Sequence, residues 1–148
     1  MTGYAISELV TPPDADIKLM CPPEPSQKSH TILLVDDAQS VRESLSWLIE
    51  NEPGLSLVGS ASNGKDGLSM AASLHPELVI LDVEMPDMDG FRVAGELKTM
   101  PFPPLVILLS VHGDPASRER GKQAGCNAYV DKGQGWPALL EAMQKVLT

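Results

Sequence analysis

Basic residues are scarce in this sequence of 148 residues. Eleven lysines and arginines stand against 20 aspartates and glutamates, which gives a formal net charge of −9. Nucleic acids and anionic membranes are also negatively charged and would repel such a chain. The densest basic stretch, from Arg118 to Lys122, is interrupted by Glu119 and indicates a solvated helix face. We therefore expect no direct binding of nucleic acid and no binding to a membrane.

Cysteines, long apolar runs and nucleotide-binding motifs are also missing or few. Cys21 and Cys126 are too few for a disulfide framework and lack the spacing of a zinc site, and we expect Cys126 to be a buried thiol. No apolar run is long enough to cross a bilayer, and the N terminus lacks the pattern of a secretion signal. No GxGxxG or GxxxxGK[ST] motif is present, which disfavours a nucleotide-binding module. A cytoplasmic location is the resulting expectation.

Proline divides the chain into two parts. Five of the 13 prolines fall within the first 30 residues. The apolar pieces in this part are too short to form a core of their own. We therefore predict a proline-rich N-terminal extension or linker over residues 1–30. Residues 31–148 are long enough to bury a core of their own and form the predicted domain.

Within that domain, apolar runs alternate with amphipathic stretches. The runs at residues 31–35, 55–61, 77–81, 105–109 and 127–130 predict five strands, and three of them are almost continuously apolar. Five helices are predicted between and after them. The first begins with a capping box at Ser40 and Glu43, and the third starts at Asp89. The fourth is capped by Asp114, and the fifth has Pro137 in its first turn. This (βα)5 order predicts an α/β fold with one doubly wound, five-stranded parallel sheet.

Polar residues follow the predicted strands at their carboxyl ends. Asp36 and Asp37 end the first strand, Asp82 the third and Ser110 the fourth, and Lys132 follows the fifth. Parallel strands bring these ends to one edge of the sheet, where such folds place their ligand site. Carboxylates forced together favour a hard divalent cation, Mg²⁺ by preference, and a carboxylate is a competent nucleophile toward a phosphoryl group. The sequence thus predicts a site for phosphoryl transfer.

Three segments resemble the signature segments of response-regulator receiver domains of two-component signalling. They are residues 32–37 (ILLVDD), 78–90 (LVILDVEMPDMDG) and 124–132 (AGCNAYVDK). The resemblance covers residues 31–147 and implies a flavodoxin-like, CheY-like fold and a phosphoacceptor switch that acts only on itself, including its own dephosphorylation. Residues 41–43, 53–61 and 63–64 look like receivers usually fused to a LuxR-type DNA-binding domain. We expect either a stand-alone receiver or a fragment of such a regulator.

The resemblance also implies a role for each site residue. Asp82 would take a phosphoryl group from a sensor histidine kinase or a phosphotransfer protein. Asp36, Asp37, Asp82 and the backbone carbonyl of Glu84 would hold Mg²⁺, directly or through water. Lys132 and Ser110 would contact the phosphate, and Tyr129 would turn inward. This would reshape the face of the fourth helix, fifth strand and fifth helix for a downstream protein, an attached output domain or a second copy of the chain.

Two residues depart from the usual receiver pattern. Gly133 stands where many receivers have proline, which makes the loop after Lys132 uncertain. Val111 stands where a smaller residue is usual, and we expect it to narrow access to the phosphate and slow exchange with small phosphodonors or water. Glu84 and His112 are further candidates for setting the rates, although His112 is also compatible with an ordinary surface position.

Two competing interpretations remain. A haloacid-dehalogenase-like phosphohydrolase would share the Asp nucleophile, Ser, Lys and Mg²⁺, but its nucleophile lies on the first strand and a cap domain does not fit this length. An unphosphorylated pseudo-receiver would serve as an interaction module, but such modules usually lack part of the acidic set or the lysine.

Overall fold

The computed structural model describes residues 29–148. In this part of the chain, five strands form one parallel sheet with the spatial order β2-β1-β3-β4-β5. They are β1 (His30–Val35), β2 (Leu55–Ala61), β3 (Leu78–Asp82), β4 (Leu105–Ser110) and β5 (Ala128–Asp131). The predicted extension, residues 1–30, lies almost entirely outside the described residues and stays a prediction, and so does Cys21.

Five α-helices alternate with these strands in the described part of the chain. They are α1 (Gln39–Glu50), α2 (Gly64–Leu74), α3 (Gly90–Lys98), α4 (Pro115–Gln123) and α5 (Gly135–Leu147), with a short 3-10 turn at Lys132–Gln134. The predicted (βα)5 fold is confirmed. No helix in the described range is both long and apolar enough to span a membrane.

The strand residues alternate between two apolar layers. Leu33, Val35 and Leu81 face a cluster formed with α2, α3 and α4, whereas Ile32 and Ile80 face a cluster formed with α1 and α5. Both faces of β1 and β3 are therefore covered, which explains why these strands are apolar without interruption. Each such buried side chain contributes roughly 1.5–3 kcal/mol by leaving water.

Most predicted helix starts agree with the structure. The side chain of Asp89 accepts a hydrogen bond from the backbone N–H of Phe91 at 2.8 Å, and that of Asp114 accepts one from Ser117 at 3.0 Å. Both residues are N-caps, as predicted for Asp114; α3, which was predicted to start at Asp89, begins one residue later at Gly90. Pro137 lies in the first turn of α5.

The predicted capping box of α1 is wrong. The helix begins at Gln39, and its N-cap, Ala38, makes no side-chain cap bond. The carboxylate of Asp36 accepts from the backbone N–H of Ala38 at 2.9 Å. The N-cap therefore lies two residues earlier than predicted, and Ser40 lies inside the first turn. Glu43 accepts instead from the Gln39 side chain at 2.9 Å.

Two further expectations need correction. Cys126 is only half-buried, because the chain turns at Gly125, whose φ is +97°, and leaves the thiol at the rim of the core. The fifth strand begins at Ala128, not at Asn127. The side chain of Asn127 accepts from the backbone N–H of Val106 at 2.9 Å and thus caps the start of β4.

The sheet order places a crevice at the carboxyl ends of β1 and β3. From β1 the chain passes to β2 on one side, and from β2 it returns to β3 on the other side. Connections that leave neighbouring strands in opposite directions open a gap between their ends. Asp36 follows β1 and Asp82 ends β3, so both lie at this gap.

Candidate functional site

Three carboxylates meet at this gap, as the sequence predicted. Asp36 and Asp82 are buried, with 0% and 1% of their surface exposed, and Asp37 is exposed beside them. One carboxylate oxygen of each lies within 4.8 Å of the others. Because β1 and β3 are adjacent parallel strands, Asp36 and Asp37 become neighbours of Asp82, which lies 46 and 45 positions later in the sequence.

The ammonium of Lys132 closes the cluster from the end of β5. Its Nζ lies 3.1 Å from Asp82 Oδ1 and 3.2 Å from Asp36 Oδ2. The contact with Asp36 is an ion pair without hydrogen-bond geometry, so Asp36 Oδ2 is the one buried side-chain polar atom without a hydrogen bond among residues 29–148.

Burial and the neighbouring charges both shift the pKa values of Asp82 and Lys132. Burial, reinforced by the charge of Asp36, raises the pKa of Asp82 to about 6, although Lys132 partly counteracts both. Burial on its own would lower the pKa of Lys132, but the charges of Asp82 and Asp36 outweigh it, and the pKa lies above its usual range. Lys132 therefore stays protonated, whereas Asp82 titrates close to neutral pH.

The cluster fits a hard divalent cation. The candidate ligands are all oxygens, two of the three carboxylates are buried, and Asp36 Oδ2 has no hydrogen bond. Mg²⁺ prefers such ligands and retains waters and phosphate oxygens in its shell. A bound cation would also relieve the repulsion that raises the pKa of Asp82.

Ser110 and Glu84 form the wall beside Asp82. The Ser110 hydroxyl, fully buried, donates to Glu84 Oε2 at 3.1 Å and accepts from the backbone N–H of His112 at 2.9 Å. The His112 ring lies 3.5 Å from the same Glu84 oxygen. The Ser110 hydroxyl proton is therefore engaged by Glu84.

An open groove of about 700 Å³ leads to this wall. It is bordered by Asp37, Glu84, Ser110 and His112, which puts both rate-setting candidates at its rim. Val111 does not line it, and its side chain is 61% exposed. The predicted effect of Val111 on access stays a prediction.

Tyr129 lies on β5, on the far side of the loop that follows β4. Its ring packs at the edge of the core against Gly121 of α4, and its hydroxyl donates to the carbonyl of His112 at 2.6 Å. The inward turn implied by the resemblance stays a prediction. The hydroxyl is nevertheless already tied to the residue whose backbone N–H contacts Ser110.

Gly133 fits the loop in which it stands. Its backbone N–H donates to Asp131 Oδ1 at 2.8 Å, at the start of the 3-10 turn that carries Lys132. Proline has no N–H and could not make this bond.

Sequence reasoning missed three residues that shape the site. Arg42 donates to the backbone carbonyl of Asp36 at 2.7 Å. Asp87, in the loop after β3, accepts from the backbone N–H groups of Gly64 and Lys65 at 3.0 and 3.1 Å and so holds the start of α2. Arg118 lies on an exposed helix face, as predicted, but its Nε also donates to the carbonyl of Gly113 in the loop after β4 at 3.0 Å. The only signal in the sequence for these three residues was that each is a charged residue near a predicted helix start.

Gly90 is the last residue of the second signature segment, and the structure explains why it is a glycine. Its N–H donates to the Val83 carbonyl at 2.9 Å, which folds the loop back on β3. A Cβ at this position would lie 2.6 Å from Val83 Cα, so a side chain does not fit. The glycine keeps the start of α3 against the backbone of the site.

Comparison with known proteins decides the family. A family model described as the response regulator receiver domain matches residues 32–144. The chain belongs to the response regulator receiver family. Receivers of this family are phosphoacceptor signalling domains of two-component systems, which is the role of this chain. They bind Mg²⁺ at an acidic pocket such as the one formed here.

Individual relatives agree with this assignment. The nitrate/nitrite response regulator protein NarL of Escherichia coli K12 is 32% identical over 120 residues, which cover 81% of this receiver and 56% of NarL. The response regulator GacA of Pseudomonas aeruginosa is 33% identical over 116 residues, which cover 78% of this receiver and 54% of GacA. The receiver thus spans about half the length of the curated relatives it matches.

Solved structures support the same fold. The signal receiver domain of the putative response regulator NarL from Mycobacterium tuberculosis has a TM-score of 0.76 and 25% identity, covering 80% of this chain and 96% of that chain. A LuxR-family response regulator from Aurantimonas has a TM-score of 0.77 and 25% identity, covering 81% and 86%. The fold of CheY in the CheX–CheY–BeF3–Mg complex from Borrelia burgdorferi is also similar, with a TM-score of 0.77, 20% identity and coverage of 83% and 92%.

Proposed function

We propose that Asp82 is the phosphoacceptor of this receiver. The observation that carries the proposal is the position of its carboxylate, buried at the end of β3, within 4.8 Å of Asp36 and Asp37 and 3.1 Å from Lys132 Nζ. The other acidic residues of the site are less suitable. Asp36 faces the same lysine but has a second oxygen engaged by Ala38, and Asp37 is exposed.

The reaction transfers a phosphoryl group between two side chains. A carboxylate oxygen of Asp82 attacks the phosphorus of a phosphohistidine on a sensor kinase or phosphotransfer protein. The O–P bond forms as the P–N bond breaks, and the leaving imidazole nitrogen keeps the electron pair and later takes a proton. Lys132 carries a positive charge 3.1 Å from the attacking carboxylate, so it neutralises part of the charge that the phosphoryl group brings.

Asp36, Asp37, Asp82 and the backbone carbonyl of Glu84 are the groups that would hold Mg²⁺. When bound, the ion supplies positive charge for the phosphate oxygens and lowers the mutual repulsion of the carboxylates. One carboxylate oxygen of each aspartate lies within 4.8 Å of the others, which supports this assignment.

The signal leaves the site through Ser110. A dianionic phosphoryl group competes with Glu84 for the Ser110 hydroxyl, which is now 3.1 Å from the Glu84 carboxylate. Movement of Ser110 would affect the loop after β4 and, through it, Tyr129 on the face of α4, β5 and α5. That face would bind a downstream protein, an output domain or a second copy of the receiver. We propose that the receiver acts only on itself and is not an enzyme.

Phosphorylation by a small donor tests the proposal. The protein is incubated with Mg²⁺ and acetyl phosphate, and we expect a hydroxylamine-labile adduct that is absent in Asp82→Ala and present in the control Asp89→Ala. An adduct that persists in Asp82→Ala would refute the assignment. Steady turnover of a phosphate ester would favour the hydrolase interpretation, and the absence of any adduct would favour the pseudo-receiver.

A further inference from the structure

An open cavity of about 290 Å³ lies at the amino-terminal edge of the sheet, away from the carboxylates. It is lined by the first residues of β1 and β2, the loop between α1 and β2, and the last turns of α5. Leu140 and Leu147 of α5 contribute apolar side chains to it, and both are only half-buried although they pack against the core. The cavity thus presents apolar surface that a further segment could remove from water.

The chain enters the described part of the molecule beside this cavity. The backbone N–H of His30 donates to the carbonyl of Gly54 at 2.8 Å, which fixes the first residue of β1 against the loop that borders the cavity. Residues 1–28 are attached directly to this point. A segment tethered beside a binding surface has an effective concentration in the millimolar range, so weak contacts suffice to keep it bound.

The part of the extension nearest to β1 has a composition that suits an apolar cavity. Leu19 and Met20 are adjacent, and three prolines follow them within residues 22–25. Proline-rich chains favour an extended conformation, and a segment with few conformations loses little entropy when it binds.

The length of this segment also fits. An extended proline-rich chain spans roughly 3.1 Å per residue, so the stretch from Met20 to His30 reaches up to about 31 Å. Leu140 and Leu147 are only about 10 Å apart along the axis of α5, because each helical residue rises 1.5 Å. Met20 can therefore reach either leucine from the start of β1.

Charge distinguishes this segment from the remainder of the extension. Residues 17–28 contain two lysines and one glutamate, whereas residues 1–16 contain three acidic residues and no lysine or arginine. The cavity is bordered by Glu52, whose carboxylate makes no ion pair within residues 29–148. An acidic border favours the basic segment and disfavours the acidic one.

We propose that residues 17–28 bind back into this cavity, with Leu19 and Met20 against Leu140 and Leu147 of α5. The inference goes beyond the proposed function and does not rest on it. The bound segment would connect the start of β1 with the end of α5 and cover apolar surface that residues 29–148 leave exposed. This part of the extension would then belong to the folded domain.

The tether favours this occupant over a separate molecule. A second copy of the chain or another protein loses its translational freedom on binding, whereas an attached segment has already lost most of it. A stable interface between folded proteins also buries roughly 1,200–2,000 Å², which is far more surface than this small cavity offers.

Cys21 allows a direct test in the full chain. In a Cys126→Ser background it is the only cysteine, and it can carry a nitroxide spin label. We expect the label to broaden the amide NMR signals of Leu140 and Leu147 severalfold more than that of Leu74, which ends α2 on the other face of the sheet. A tethered segment that does not bind the cavity would broaden both groups alike.

Matched variants within the extension separate binding from tethering. Leu19→Ser combined with Met20→Ser removes the apolar contacts, so the excess broadening in α5 should disappear. Ile6→Ser combined with Leu9→Ser makes the same kind of change farther from β1 and should leave the broadening unchanged. Neither pair lies in the predicted domain, so both variants retain the folded receiver.

Hydrogen exchange provides a second measurement without a label. The amides of the last turn of α5 should exchange roughly tenfold faster in the Leu19→Ser, Met20→Ser variant than in the parent, because burial of one apolar side chain is sufficient to change a local opening equilibrium by this factor. The Ile6→Ser, Leu9→Ser variant should exchange like the parent.

Three results would overturn the proposal. The first is equal broadening of the α5 and α2 signals in the parent, and the second is broadening or exchange that the Leu19→Ser, Met20→Ser variant leaves unchanged. The third comes from a mixture of isotope-labelled protein that lacks both cysteines with spin-labelled protein that is not isotope-labelled. Broadening of the α5 signals in that mixture would mean that a second copy supplies the segment. None of these measurements involves phosphorylation, so they stand or fail independently of the proposed function.

Discussion

Lys132 lies between two buried carboxylates, with its Nζ 3.1 Å from Asp82 Oδ1 and 3.2 Å from Asp36 Oδ2. One ammonium therefore neutralises part of the charge of two aspartates that are almost completely removed from solvent. The receiver without a bound cation depends on this arrangement, because each aspartate raises the cost of ionising the other.

Lys132→Met should destabilise the receiver at neutral pH. Removing the ammonium leaves two like charges in a buried cluster, and the unfolding free energy in EDTA should fall by about 2 kcal/mol. This is less than the loss for a fully buried pair, because the lysine side chain is 25% exposed. Urea unfolding measures the change. Lys122→Met, an exposed lysine of the same chain, should stay within about 0.5 kcal/mol of the parent, and equal losses in the two variants would contradict the account.

Asp82→Asn should stabilise the receiver above pH 6 in the absence of Mg²⁺. The pKa of Asp82 is raised from 3.8 to about 6, so between these values the folded protein holds a proton that the unfolded chain has released. Stability that is present at low pH is therefore lost as the pH rises through this window. Asparagine does not ionise, and we expect a gain of about 2 kcal/mol at pH 7.5.

A second aspartate gives the opposite pH dependence and serves as the control. The backbone N–H of Ser117 lowers the pKa of Asp114, so the stability from this cap is present above 3.8 and lost as the pH falls below it. Asp114→Asn should therefore not stabilise the receiver at pH 7.5. A gain from Asp82→Asn that is the same at pH 4 and pH 7.5 would mean that ionisation of Asp82 is not its cause.

Glu84→Gln should accelerate phosphorylation by acetyl phosphate. The carboxylate of Glu84 lies at the rim of the groove, 3.1 Å from the Ser110 hydroxyl, and it repels an anionic donor while it occupies the hydroxyl. Glutamine keeps an acceptor for Ser110 but removes the charge, and we expect a severalfold higher initial rate that depends less on salt. Glu141→Gln, on α5, changes the net charge equally, so equal effects of the two variants would show that the location of Glu84 is irrelevant.

Asp87→Ala should weaken the start of α2. Asp87 accepts from the backbone N–H groups of Gly64 and Lys65, and these bonds lower its pKa. Loss of such a cap typically costs about 1 kcal/mol. The cost should be present at neutral pH and vanish as the pH falls below the pKa of Asp87, since the parent then loses its charged cap as well. Amide hydrogen exchange at Gly64 and Lys65 measures it, and unchanged exchange would refute the role, with Glu50→Ala on α1 as the control.

The strand-end residues were predictable from the sequence because the rule that places them is general. Asp37, Asp82 and Lys132 each follow a predicted strand, and parallel strands place such residues at one edge of the sheet whatever the conformation of the loops. The fold followed from the same runs, since both faces of the sheet are covered. The capping box at Ser40 failed because the pattern does not show that Asp36 already holds the turn before the helix.

Residues that act through backbone groups of distant loops were not predictable. Asp87 binds amides 22 and 23 positions earlier in the sequence, and Arg118 binds a carbonyl 11 positions later. Their partners depend on how each loop packs, and no local pattern encodes that packing. Arg118 and Arg120 look equivalent in the sequence, yet the structure directs one to β5 and the other to α3.

Mapping the phosphorylated residue tests the central claim most directly. The full chain is phosphorylated with acetyl phosphate and Mg²⁺, reduced with borohydride, which converts an aspartyl phosphate to homoserine, and digested for peptide mass spectrometry. We predict homoserine at position 82 in the parent and at no position in Asp82→Asn. Homoserine at position 36 or 37 in the parent, with Asp82 intact, would contradict the account.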